Sequence, residues 1–186
     1  MFEAQRLLGD TTRSIVLQTR AGGKIVNEIT LPPTPGQIKD RENLAKKFPA
    51  WENRKPPTGG YNCAGHVWAA RRTGIFDDFD DQVMTILKDD GYRLLAVGEE
   101  LKRGDLALYW EFLSPRKNLY HVGMIFDLRS TRELLGLESA ASPRSALIPW
   151  VLSKPDAFSG EILHHERHVY FYPDAKYSIE YWTDRP

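Results

Sequence analysis

One cysteine in 186 residues leaves no internal disulfide to form, so nothing in the chain requires an oxidising compartment. Charge of one sign is also missing. Lysine and arginine total 25 and aspartate and glutamate total 25, a balance that argues against a dedicated nucleic-acid or membrane-surface protein. No run of about 18 apolar residues occurs, which excludes a membrane-spanning helix. Met1–Asp10 lacks the apolar stretch of a secretory signal. These absences predict a cytoplasmic address by default, while non-classical export would leave no readable mark. Internal repeats and low-complexity tracts are absent too. What is present is an ordinary apolar content with five tryptophans, enough to build a core, in a length suited to one domain with or without extensions.

Arg13–Thr19 and Lys24–Thr30 are β-branched runs separated by Ala21-Gly22-Gly23, a pattern that predicts a hairpin. Pro32-Pro33-Thr34-Pro35-Gly36 ends it. Gln37–Lys47 predicts a short surface helix stopped by Pro49, and the breaker-rich Lys55–Gly60 then marks a boundary. The expected organisation is an amino-terminal hairpin and helix extension over 1–54 and a catalytic unit over 55–186.

Within that unit Cys63–Arg72 predicts a buried helix with Val67, Trp68 and Ala70 toward the core. Asp80–Asp89 predicts a second, with Val83, Ile86 and Leu87 at helical spacing and Gly91 as its cap. Strands are expected at Tyr92–Val97, Asp105–Trp110, His121–Asp127, Trp150–Ser153, Gly160–His164 and Val169–Tyr172, and a long mixed loop over Ser130–Pro149. Helices followed by a run of strands predict an α+β fold with an antiparallel sheet.

The lone cysteine is the centre of interest. By itself, a free cysteine reads as a small buried hydrophobe. Cys63, however, lies in Tyr61-Asn62-Cys63-Ala64-Gly65-His66, at the opening of a helix, where unpaired N–H groups and the macrodipole favour thiolate and should depress its pKa. A thiolate nucleophile needs a base, and that base needs an orienting group. His121, expected at a strand entrance after a polar loop, is the candidate base. His66, three residues after Cys63 on nearly the same helix face, reads as a wall of the site or a structural residue. The orienter is open among His164, His165, Ser153, Asp156 and Glu161. His164 and His165 point to opposite faces of their strand, so at most one can face the site. His164 and His168 are four apart, but zinc needs that spacing on a helix and the neighbouring sequence reads as strand. Neither a metal nor a cofactor is therefore expected.

Tyr61-Asn62-Cys63-Ala64-Gly65, Arg103-Gly104-Asp105-Leu106-Ala107-Leu108 and His121-Val122-Gly123-Met124-Ile125 together resemble the NlpC-type, papain-like cysteine peptidases and amidases. Trp150-Val151-Leu152-Ser153-Lys154 with Gly160-Glu161-Ile162-Leu163-His164-His165 is similar to the tail of an uncharacterised bacterial branch, and the likeness spans roughly Tyr61 to Tyr172. The resemblance implies a papain-like fold with the cysteine helix packed on the sheet, Cys63 as nucleophile, His121 as general base and His164 as the third polar residue. Tyr61, Asn62 and His66 would line the substrate and oxyanion side. The implied function is cleavage of an amide bond in a peptide, peptidoglycan-like or protein substrate, with an inhibitor or immunity protein as a further partner. Acyl transfer and glutamine deamidation by a toxin or effector use the same dyad, and a non-catalytic binding module is the rival of another class.

Overall fold

The computed structural model describes residues 13–113, 116–130, 147–168 and 177–186. Among the described residues, three helices, α1 (Pro35–Lys46), α2 (Cys63–Trp68) and α3 (Phe79–Asp89), accompany seven strands. The strands are β1 (Glu52–Asn53), β2 (Arg93–Leu94), β3 (Leu106–Leu113), β4 (Arg116–Ser130), β5 (Leu147–Ser153), β6 (Ile162–His165) and β7 (Tyr177–Thr183). They form one sheet in the order β1-β6-β5-β4-β3-β7-β2, with every pairing antiparallel. The protein is thus mixed α and β, with few helices on an antiparallel sheet.

Alternation along the strands divides the apolar side chains between two faces. On one, Leu106, Leu108 and Trp110 of β3 and Leu119 and Val122 of β4 join Cys63 and Ala64 of α2 and Val83, Ile86 and Leu87 of α3. On the other, Ala107, Tyr109, Ile125 and Val151 pack with Tyr177, Ile179 and Tyr181. Each fully buried aliphatic chain contributes on the order of 1.5–3 kcal/mol. Several close approaches demand glycine, those at Gly65 and Gly123 beside the site among them. A Cβ on Gly65 would lie 1.9 Å from the Thr73 carbonyl oxygen, and one on Gly123 would lie 2.3 Å from Val151 Cγ1.

The amino-terminal segment shares the first core. Ile25 is buried in the cluster with Cys63, Glu28 and Gly74 exchange backbone hydrogen bonds, and β1 completes the sheet beside β6. The expected hairpin forms its turn, but its arms touch only through isolated bridges such as Gln18 with Lys24 and Arg13 with Ile29. Between those bridges the Asn27 side chain takes the place of a ladder, accepting from Ile15 N–H at 3.0 Å and donating to Ile15 C=O at 2.9 Å. Helix α1 carries a Thr34/Gln37 capping box with Pro35 in its first turn, and it buries no residue, as a surface helix should.

Several boundaries differ from the sequence expectation. Helix α2 ends at Trp68 instead of Arg72, because Ala70 and Arg71 take the left-handed conformation with φ of 48° and 66°. Ala70 is consequently exposed, not core. The strand expected at Tyr92–Val97 shrinks to Arg93–Leu94, since Glu99 turns the chain by binding both Arg93 and the Ala96 N–H. Strand β4 starts at Arg116, which places His121 inside the strand and not at its entrance. The Val169–Tyr172 expectation and most of the loop expected over Ser130–Pro149 lie outside the described residues, although Leu147–Pro149 belong to β5. Strand β7, which the sequence reading did not anticipate, inserts between β3 and β2.

Candidate active site

Cys63 is the first residue of α2 and is 7% exposed. Ahead of it Asn62 caps the helix, its side-chain oxygen accepting from Gly65 N–H at 3.0 Å and Ile75 N–H at 3.1 Å. That double role fixes both the start of α2 and the chain that returns beneath it. The backbone N–H groups of Val122, Ala64 and Cys63 itself act on the thiol to favour its ionised form.

The setting of the Val122 N–H follows from where β5 stops. Ile125 directs its backbone groups at Gly104 and Asp105, toward the β3 side. Alternation then turns those of Val122 toward β5. Strand β5 pairs with β4 only as far as its last residues and ends at Ser153, so the β5 side of β4 is left unpaired at Val122. Burial outweighs the three N–H groups and pushes the Cys63 thiol up to about 11, with the charge of Asp156 acting in the same direction. The expectation of a depressed pKa is thereby corrected: a six-residue helix start does not compensate for removing the thiolate from water.

His121 stands opposite Tyr109, their ring centroids 5.4 Å apart, and is 1% exposed. Directly opposed residues share a face, so the imidazole projects on the Tyr109 side while Val122 projects into the core that contains Cys63. The peptide unit between His121 and Val122 is common to both. The two residues turn to opposite faces, the imidazole away from the core that holds Cys63. Burial, followed by the nearby His164 and His66, holds the His121 pKa well below the ordinary histidine value. The resting pair is therefore a neutral thiol and a neutral imidazole.

His164 is fully buried on the His121 face. It pairs with Val151, and Ser153 lies two residues along from Val151 on the same side. The Ser153 hydroxyl lies 2.9 Å from His164 Nε2, and His164 Nδ1 lies 2.8 Å from the His165 carbonyl oxygen. A carbonyl only accepts, so the proton is on Nδ1 and Ser153 donates to Nε2. Burial brings the His164 pKa down to about 4. His165 is turned elsewhere, accepting from Arg167 N–H at 3.0 Å and packing on His168 at 5.0 Å.

Tyr61, Asn62 and His66, expected along the substrate and oxyanion side, are engaged in holding α2. Tyr61 donates to Glu161 Oε1 at 2.7 Å, and burial followed by that carboxylate raises its pKa to about 12. His66 Nε2 lies 3.1 Å from Arg71 Nη2 and 3.7 Å from Glu161, and burial lowers its pKa to about 4. Arg71 can only donate, so His66 Nε2 is the acceptor. Glu161 gathers this cluster, binding Arg71 in addition to Tyr61, with Lys55 at 3.4 Å. Burial opposes its ionisation, but the hydrogen bonds from Arg71 and Tyr61 prevail and hold it at about 2. The left-handed Ala70 and Arg71 turn the guanidinium back onto this carboxylate, a local strain that the ion pair offsets.

Comparison with known proteins finds no matching family model, curated protein or solved structure. Among the described residues, no helix is long and apolar enough to cross a membrane. No group of three or more His, Cys, Asp or Glu residues suited to a metal ion occurs among them either.

Sequence reasoning had Ser153 and Glu161 among candidate orienters but missed their division of labour. Ser153 faces His164, whereas Glu161 faces α2. It also missed Lys154, which is fully buried. Lysine is almost never fully buried, so composition and pattern gave no signal for it.

Proposed function

We propose that the protein is a thiol-dependent amide hydrolase of the papain-like, NlpC-type kind, with Cys63 as nucleophile and His121 as general base. The observation that carries this reading is the packing of Cys63, the first residue of α2, in one buried cluster with Val122, the residue that follows His121 on β4. A nucleophile and its base then lie on adjoining elements fixed by one strand. Substrate binding brings a carbonyl to the sulfur, and the reading requires the His121 imidazole, which at rest projects on the Tyr109 face, to come within reach of the thiol and take its proton as the C–S bond forms. The tetrahedral oxyanion collapses with cleavage of the C–N bond, and the imidazolium returns its proton to the leaving amine. Water, deprotonated by His121, then hydrolyses the thioester and frees the thiol. Transfer of the acyl group to an amine, or release of ammonia from a glutamine side chain, requires only a different acceptor or donor at the same dyad.

His164 joins the site through Ser153 and not by direct approach to the sulfur. Strands β4, β5 and β6 place His121, Ser153 and His164 on one face, which supports a polar train that orients the base. The substrate class in this reading is a peptide, peptidoglycan-like or protein amide.

Burial of both partners in neutral form favours a second reading, a binding module that retains the dyad without turnover. Amine release from a panel of peptide, glutamine and peptidoglycan stem-peptide amides separates the two. Under the hydrolase reading, wild-type protein releases amine from at least one substrate, and Cys63→Ala and His121→Ala do not. Release that persists in Cys63→Ala removes the cysteine from the chemistry.

A further inference from the structure

A groove of about 680 Å³ lies between α1, the β1 edge and the loop that leads into β6. Its size falls within the roughly 300–1,000 Å³ of ligand sites. Neither Cys63 nor His121 lines it. Helix α1 buries no residue, and its Leu44 and Ala45 line the groove. Phe48 and Trp51, stacked with ring centres 4.4 Å apart, and Ile162 of β6 extend this apolar lining.

Two further features say what kind of molecule belongs there. The first is an open strand edge. Strand β1 is the terminal strand of the sheet, and among the described residues no strand pairs with its outer side. Arg54 directs its N–H at the Glu161 carbonyl, toward the β6 side. Alternation turns the N–H and C=O of Asn53 the other way, and Asn53 lines the groove. Unpaired backbone groups at a sheet edge are a template for an extended chain.

The second feature is charge. Among the described residues, Arg41, Lys46, Arg54 and Lys55 line the groove against the one carboxylate of Glu42. Arg41 has Asp156 at 3.1 Å, but the other counter-ions are shared. Glu52 serves both Arg54 and Arg129, Asp127 both Arg129 and Arg103, and Glu161 both Lys55 and Arg71. Lys46 has the Asn43 side-chain oxygen for a partner. Cations are therefore in excess here, in a chain whose charges balance overall.

We propose that the groove binds an extended, acidic peptide segment of a partner protein. The peptide backbone pairs with Asn53 at the β1 edge, and apolar side chains rest on Leu44 and Trp51. Its carboxylates meet Arg54, Lys55 and Lys46. The proposal stands apart from the hydrolase reading, because it assigns no chemistry to Cys63.

The test measures anisotropy of a fluorescein-labelled hexapeptide of alternating glutamate and leucine, with the lysine–leucine hexapeptide as its counterpart. When extended, the probe sets its leucines on one face and its glutamates on the other. Wild type should bind the acidic peptide at least tenfold more tightly than the basic one, and less tightly as salt is raised. The Arg54→Gln/Lys55→Gln variant should bind it at least fivefold more weakly. Asn53→Pro removes the outward N–H at an edge position that accommodates proline, and it should lose at least as much. Absent binding, equal affinity for the two peptides, or unchanged affinity in both variants overturns the proposal. If Asn53→Pro does not fold, amide chemical shifts of wild type decide. The acidic peptide should move the Asn53 and Lys46 signals, and shifts confined to other elements overturn the proposal equally. Dimers of wild type that the acidic peptide does not displace would give the groove to a second copy and overturn it too. Amide turnover is a separate readout, so either reading can fail while the other stands.

Discussion

Cys63, the first residue of α2, packs in one buried cluster with Val122, the residue that follows His121 on β4, so the strand that carries His121 also seats the cysteine helix.

The first consequence concerns reactivity at rest. With its pKa pushed up to about 11 by burial, Cys63 should alkylate slowly near neutral pH and faster only well above the roughly 8.5 of a free cysteine. Stopped alkylation with mass-spectrometric readout across pH 6–11 checks it. A plateau of high reactivity below pH 7 would show an ion pair already formed.

Ser153→Ala tests whether the Ser153–His164 hydrogen bond, on the face that carries His121, supports the proposed base. Removing the hydroxyl leaves His164 Nε2 buried without its donor, at a cost of about 1–3 kcal/mol in stability. Turnover should fall strongly while Cys63 alkylation keeps its wild-type pH profile. His164→Ala should behave in the same way and His165→Ala should not, because His165 binds Arg167 and His168 instead. Equal losses in both histidine variants would contradict the assignment of faces.

Two pH windows of stability should be separable. His164 has a folded pKa of about 4, below its ordinary 6.5, so the unfolded chain takes up that proton first. Its contribution is complete above pH 6.5 and is lost as pH falls toward 4. Glu161, held at about 2 against an ordinary 4.5, contributes above 4.5 and loses that contribution on the way down to 2. At neutral pH the latter amounts to roughly 3 kcal/mol. Urea unfolding at pH 7.5, 5 and 3 should show wild type losing stability in both intervals. Glu161→Gln should start about 3 kcal/mol lower because Arg71 loses its anion, and it should lack the lower interval. A variant that declines between pH 5 and 3 as steeply as wild type would remove Glu161 from that role.

Gly65→Ala should destabilise by about 2–3 kcal/mol, since the new methyl meets the Thr73 carbonyl, which is backbone and cannot swing aside. Thermal unfolding measures it. A loss below about 0.5 kcal/mol would mean that α2 can shift on the chain beneath it.

Much of the sheet was legible because its strands alternate and its apolar residues recur at helical spacing in α3. Val83, Ile86 and Leu87 at helical spacing and the Gly104-Asp105-Leu106 start of β3 appear where the pattern predicts. What the pattern could not carry was anything decided between distant segments. The end of α2 is set by Arg71 reaching Glu161, ninety residues on. The burial of Lys154 depends on carbonyls of Thr58 and Ser159 from two loops. The acidity of Cys63 follows from burial, which a helix-start rule applied to six residues does not see. Where β3 pairs with β4, the irregularity between Tyr109 and Trp110 sets the register of His121, and residue type alone does not announce it.

The most direct measurement is capture of the acyl intermediate. Protein treated briefly with an activated acyl ester and analysed by intact mass and peptide mapping should carry a hydroxylamine-labile acyl group on Cys63. The rate should fall at least a hundredfold in His121→Ala, within the range for loss of a general base. Acylation of Cys63 at the same rate in wild type and His121→Ala, or labelling confined to other residues, would contradict the Cys63–His121 site.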